Sequence, residues 1–127
     1  SGADYAAAAT QAQTDLAQAL SRVGRLIGTP KLSDAAWSGD VHAAMARVET
    51  AYESLVRLQP PDGWASFHTQ LARGAGDCSA AMRVLAWALD VQDRDGVRVV
   101  AALLYRCQTG MAEARTLIAA SDGAPVP

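Results

Sequence analysis

The sequence has few aromatic residues, cysteines, histidines or lysines, and it lacks a long apolar run. Of its 127 residues, 6% are aromatic, two are cysteine and two are histidine. No apolar run approaches the roughly 18 residues of a membrane-spanning helix, so we expect no transmembrane segment in this chain. Lys31 is the only lysine among 11 basic residues. This excess of arginine, together with abundant alanine, suggests a bacterial gene.

The chain also lacks a large excess of charge of either sign, since the formal net charge is −2 and both signs are interspersed. Nucleic-acid binding requires a clustered basic face, so we expect no nucleic-acid partner. An anionic membrane surface requires a polybasic segment, which is absent as well. The hydrophobic fraction of 50% is too high for a disordered chain. The length fits one domain.

Four segments repeat apolar residues every three or four positions and therefore predict four amphipathic helices. They run from about 4 to 27, from 40 to 58, from 61 to the turn at 92–93, and from 93 to 121, with Ser38 as the expected N-cap of the second. Short connections favour antiparallel neighbours. The prediction is an all-α, up-down-up-down antiparallel four-helix bundle that forms a single domain over residues 1–121, with a flexible C-terminal tail at 122–127.

The two cysteines, Cys78 and Cys107, lie equally far from the turn between Gln92 and Asp93, and both occupy inward positions of their helices. In an antiparallel hairpin such residues lie side by side. Two buried free thiols remain the alternative, because cysteine is often buried, and a catalytic pair lacks the usual C-x-x-C. We favour a Cys78–Cys107 disulfide. It would place the protein outside the cytoplasm.

Glycines cluster at the level of these cysteines. Gly110 is expected opposite Ala75, which Gly74 and Gly76 flank. Each glycine costs a helix about 1 kcal/mol relative to alanine. Close approach of the two helix backbones is the reason that we expect for the cluster.

Catalytic and metal-binding patterns are missing. The sequence contains no phosphate-binding glycine loop, nucleophile elbow or H-E-x-x-H motif. His42 and His68 are expected roughly 16 Å apart, too far to share a metal ion. We therefore expect no catalytic residue, no metal and no cofactor. A ligand pocket formed by Trp64, His68 and Glu53 is a possible site, and a histidine hydrogen-bonded at the core edge is the simpler interpretation.

One group of apolar residues extends beyond the narrow inward stripe near the turn between the third and fourth helices. We call it the apolar patch, and its members are Val84, Trp87, Val91, Val99 and Leu103. Two interpretations stay open. Leu32 and Trp37 of the first loop cover the patch as part of a wide core, or the patch is exposed and binds a partner protein or a second copy.

The stretch LQPPDGWASFHTQL, from Leu58 to Leu71, resembles the start of the third helix in small helical domains of bacterial lipoproteins and secreted proteins. Pro60, Pro61, Phe67, His68 and Leu71 carry the likeness, which directly covers about a tenth of the chain. The resemblance implies an extracytoplasmic protein, secreted or anchored to the envelope, with no assigned activity. It transfers no catalytic residue.

These observations predict a non-enzymatic, extracytoplasmic helical module that binds a partner or serves a structural role. A protein partner or a homodimer is the expected form of binding. The alternative is a bundle that holds a small ligand or a metal ion near His68 and Trp64.

Overall fold

A computed structural model describes residues 1–121 and 123–126 of the chain. It contains four α-helices, which are α1 (Gly2–Ile27), α2 (Ala35–Val56), α3 (Ala65–Asp90) and α4 (Arg94–Ser121). Helix α1 packs against α2 and α4, and α3 packs against α4 and α2. The protein is an all-α four-helix bundle, as the apolar periodicity predicts.

Helix α2 begins five residues earlier than its apolar stripe indicates. Asp34, rather than Ser38, is the N-cap, and its carboxylate accepts hydrogen bonds from the backbone N–H groups of Ala36 and Trp37. The Trp37 indole N–H donates to the carbonyl of Leu26 in the last turn of α1, at 2.9 Å. Burial of Trp37 and the satisfied carbonyl together stabilise the additional turn.

The core is built from one inward stripe per helix, and alanine contributes much of it. The largest side chains gather at one end, where the Tyr5 ring lies 5.1 Å from the Trp64 ring, centre to centre, and the Trp64 ring 5.7 Å from that of Phe67. Ala9 of α1 is fully buried in the same core. Large residues facing small ones are how such a core reaches native packing density.

The last described residues pack against the bundle. Val126 is only 7% exposed, and the backbone of Gly123 lies beside Ala3 at the start of α1. The ring of Pro125 lies next to Gly63, whose φ of 88° requires glycine. The composition of 122–127 gives no reason for order, whereas 123–126 have these contacts; Asp122 and Pro127 lie outside the described residues.

Within residues 1–121 and 123–126, no helix combines the length and the apolar character needed to cross a membrane.

Candidate binding surface on helices α3 and α4

Cys78 and Cys107 lie at disulfide distance in the middle of α3 and α4. Their Cα atoms are 5.2 Å apart, and both side chains are almost fully buried. This spacing lies within the 4.4–6.8 Å typical of disulfides. The equal distance of the two residues from the interhelical turn, read from the sequence, is sufficient to predict this pairing.

The predicted reason for the nearby glycines holds only in part. A Cβ added at Gly74 would meet the Met111 methyl group at 3.3 Å, so this glycine does allow close packing. A Cβ at Gly110, by contrast, would meet nothing within 4 Å. The prediction of close approach is therefore wrong for Gly110, whose effect is to leave open space beside α3.

The apolar patch is exposed on the outer face of α3 and α4. Trp87 is 57% exposed, Val99 57% and Val91 53%, whereas Val84 is at 38% and Leu103 is half-buried. Val84, Trp87 and Val91, the last of which is the C-cap of α3, are spaced by three and four residues, which aligns them along one side of the helix. Solvent-exposed tryptophan flanked by valines is unusual on a monomer surface and typical of a contact site.

The first loop does not cover this patch. Trp37 is buried and bonded to Leu26, and Leu32 is half-buried against the core. Both residues lie at the same end of the bundle as the α3–α4 turn, since α1 and α3 run in the same direction. Even so, Trp87, Val91 and Val99 are each more than half exposed. The wide-core interpretation is therefore wrong for Trp87, Val91 and Val99.

Trp87→Glu is expected to leave the free energy of unfolding within about 0.5 kcal/mol of the wild-type value, because the exposed indole has little packing to lose. Trp37→Glu is the matched control and should cost several kcal/mol, because it forces a charge into a buried site. Thermal unfolding, at a concentration where sedimentation shows a monomer, measures both. A Trp87→Glu variant that melts as early as Trp37→Glu contradicts the exposed placement.

A groove continues from the apolar patch along the same face of α3 and α4. We call it the disulfide groove because Cys107 contributes to its wall, and its volume is about 390 Å³. Val84 and Leu103 belong to both features, so the patch and the groove form one continuous surface. The groove is lined by Gly74, Asp77, Ala80, Ala81, Val84, Leu103, Arg106, Cys107 and Gly110. Small residues form most of its walls, and Asp77 and Arg106 supply one charge of each sign.

Trp64 and His68 lie close together at the other end of the bundle, but the side chains of described residues fill the space beside them and leave no ligand pocket between the two. Trp64 is 1% exposed, and burial raises the pKa of the Tyr5 phenol beside it to about 12. The Tyr5 hydroxyl and His68 Nδ1 form a hydrogen bond of 2.8 Å, and His68 Nε2 lies 3.3 Å from the carbonyl oxygen of Val56. Both ring nitrogens of His68 are thus engaged by the protein itself.

Glu53 does not join this cluster. It is exposed, and its carboxylate pairs with Arg57 one turn later on α2, at 3.7 Å. The structure therefore brings together two of the three residues of the predicted ligand pocket, in the form of a histidine hydrogen-bonded at the core edge. In the described part of the chain, no group of three or more histidine, cysteine, aspartate or glutamate residues is placed to hold a metal ion.

The burial of two polar side chains is not predicted from the sequence, because each lies within an apolar stripe of its helix. Gln13 is fully buried between α1 and α4, where its amide nitrogen lies 3.5 Å from the Met111 carbonyl oxygen and its Oε1 is without a protein partner. Ser79 is buried and donates to a carboxylate oxygen of Glu49 across the α2–α3 contact, at 2.7 Å. The Ser79 hydroxyl is thus satisfied within the protein, by a hydrogen bond that joins α3 to α2.

A second groove, of about 750 Å³, lies between α1 and α2. Small side chains at the helix contact, among them Ala19, Ala44 and Ala51, leave this space. Charged residues of both signs line its rim, namely Asp15, Arg22, Arg25, Asp40 and Arg47. Charges of both signs on an open rim are typical of a solvated surface. The sequence signal for it is an acidic residue seven positions before an arginine on each helix, Asp15 and Arg22 on α1 and Asp40 and Arg47 on α2.

Comparison of the chain with protein-family models, with curated proteins and with solved structures finds no match. The function is therefore inferred from the residues and their arrangement.

Proposed function

We propose that the protein is a disulfide-stabilised, non-enzymatic binding module that acts outside the bacterial cytoplasm and docks a protein on the α3–α4 face. The observation that carries the proposal is the exposure of Trp87 at the centre of the apolar patch. Tryptophan is strongly enriched among residues that dominate binding energy at protein interfaces. Its exposure in a bundle that buries its other two tryptophans, Trp37 and Trp64, favours a contact role.

The disulfide supports the proposed compartment. Disulfides persist in oxidising environments and are rare in a reducing cytoplasm. The close placement of Cys78 and Cys107 in the core fits a structural bond rather than a redox site, because both residues are almost fully buried. The resemblance of the Leu58–Leu71 stretch to lipoprotein and secreted domains points the same way.

Site-specific photo-crosslinking in the source organism tests the binding role. We expect benzoyl-phenylalanine at position 87 to give a discrete crosslinked product. The same group at position 105 is the matched control, because Tyr105 is an exposed aromatic (72%) that the helix turns about 200° away from Leu103. No product at 87, or equal products at both positions, contradicts the proposal.

A further inference from the structure

We infer that the occupant of the α3–α4 face is a second copy of this chain, and that each copy inserts Trp87 into the disulfide groove of the other. The inference rests on the proposed binding role of this face and specifies its partner. It follows from the way large and small residues are distributed along the two helices.

Large and small side chains segregate along this face. Trp87, Val91 and Val99 lie near the α3–α4 turn and are each more than half exposed. Gly74 and Gly110 lie on the far side of the disulfide level, where the groove is open. Half of the face therefore projects and the other half recedes. A surface of this form is complementary to a copy of itself that is rotated end over end.

The required rotation is a two-fold axis that lies in the interface, perpendicular to the helices. Trp87 is nine residues from Cys78 on α3, which corresponds to about 13 Å along the helix. An axis midway between these levels passes beside Val84 and Leu103, the two residues shared by patch and groove. It places α3 over the partner copy's α3 in the opposite direction. Both copies then form the same contact, and the assembly closes as a dimer.

The same axis matches the other members of the patch. At about 1.5 Å of rise per residue, the two-fold rotation places Val91 at the level of Gly74 in the second copy and Val99 at the level of Arg106. Leu103 comes to lie beside its own counterpart at the axis. Each exposed apolar residue thus meets a small residue, an aliphatic stem or another leucine.

Charge and hydrogen bonding in the groove also fit an indole. A buried indole N–H requires an acceptor, and the Asp77 carboxylate in the groove provides one. The Arg106 guanidinium on α4 can lie over the ring face, an arrangement in which cation and aromatic attract each other. A purely apolar partner residue would form neither the hydrogen bond to Asp77 nor the cation–π contact with Arg106.

The contact area that this axis allows is that of a small specific interface. The two copies overlap over about residues 74–91 on α3 and 94–111 on α4, a length of about 26 Å at about 1.5 Å of rise per residue. Two helices side by side, each about 10 Å wide, then bury on the order of 500 Å² on each copy. The total of about 1,000 Å² lies at the lower end of specific interfaces, so we expect a dimer weaker than one of standard size.

Sedimentation equilibrium of the oxidised chain, with two variants, tests the inference. Trp87→Ala removes the inserted ring, and Gly110→Phe fills the groove from a position where an added Cβ meets nothing. Each variant is expected to raise the dimer dissociation constant at least about 30-fold, the loss typical of a dominant interface residue. Gly110→Ala is the matched control and should change the constant by less than about 3-fold, because a methyl group leaves most of the groove open.

Mixing the two variants gives the decisive result. A heterodimer of Trp87→Ala with Gly110→Phe keeps one intact insertion, the ring of the second chain in the groove of the first, whereas either variant alone keeps none. We expect the mixed dimer to be at least about 10-fold tighter than either variant homodimer. A wild type that stays monomeric at high concentration, a Gly110→Phe variant that dimerises normally, or mixing without gain overturns the inference.

The crosslinked product at position 87 separates this inference from the proposed function. A product of twice the chain mass supports the homodimer. A product with a different protein overturns the homodimer and leaves the binding role intact.

Discussion

Loss of the Cys78–Cys107 disulfide is expected to lower the free energy of unfolding by about 3–4 kcal/mol, the value that the chain-entropy model assigns to a link of this span. The two residues are 29 positions apart and join the middle of α3 to the middle of α4. Without the link, the unfolded chain gains conformational freedom, whereas the apolar contacts of the hairpin remain. A Cys78→Ala, Cys107→Ala double variant should therefore fold and melt earlier.

Chemical denaturation with and without reductant measures the effect. The wild type should lose stability in reductant, and the double variant should be insensitive to it. Alkylation of protein trapped directly from cells and then denatured reports the native state, in which we expect no reactive thiol. Two alkylated cysteines in protein from an oxidising compartment, or equal stability of wild type and double variant, contradict the prediction.

The bundle and its cysteine pair could be predicted from the sequence because both depend on helical periodicity and on counting residues from a turn. Apolar residues at three- and four-residue spacing give the helix faces, and short connections give antiparallel neighbours. Residues equidistant from the turn, as Cys78 and Cys107 are, then have to lie side by side.

Features that depend on specific side-chain packing cannot be predicted from the apolar periodicity of the sequence. The start of α2 is set by the Asp34 cap and by the Trp37 indole bond to Leu26, a tertiary contact that periodicity does not encode. The same limit applies to Gln13, whose amide occupies an inward position that hydropathy assigns to an apolar residue.

The candidate binding surface was predictable only as a pair of alternatives. The sequence identifies the apolar patch, but whether the first loop covers Trp87 depends on where Trp37 lies. The open space beside Gly110 is likewise a matter of geometry, since a helical glycine fits a tight contact and an empty groove equally well. Whether this surface can bind a partner therefore depends on two facts of packing, the exposure of Trp87 and the open space beside Gly110.

Trp64 is the residue on which one end of the bundle is built. It lies just before α3 and is 1% exposed, with Tyr5 and Phe67 against its ring. The start of α1 also approaches it, since a Cβ added at Gly2 would meet both the Trp64 indole nitrogen and the Gly123 backbone. Helix α1 and the start of α3 thus converge on one side chain, and the backbone of Gly123 lies beside the same first turn of α1.

Trp64→Ala is expected to cost about 3–5 kcal/mol of unfolding free energy, because it removes a fully buried ring and leaves a cavity that rigid helices fill poorly. Trp87→Ala is the matched control, with the same chemical change at an exposed site and an expected cost within about 0.5 kcal/mol for the monomer. Denaturant unfolding followed by circular dichroism compares the two variants with wild type. Similar costs at positions 64 and 87 would contradict the division of the tryptophans into a core residue and a contact residue. A large loss at 64 alone supports it.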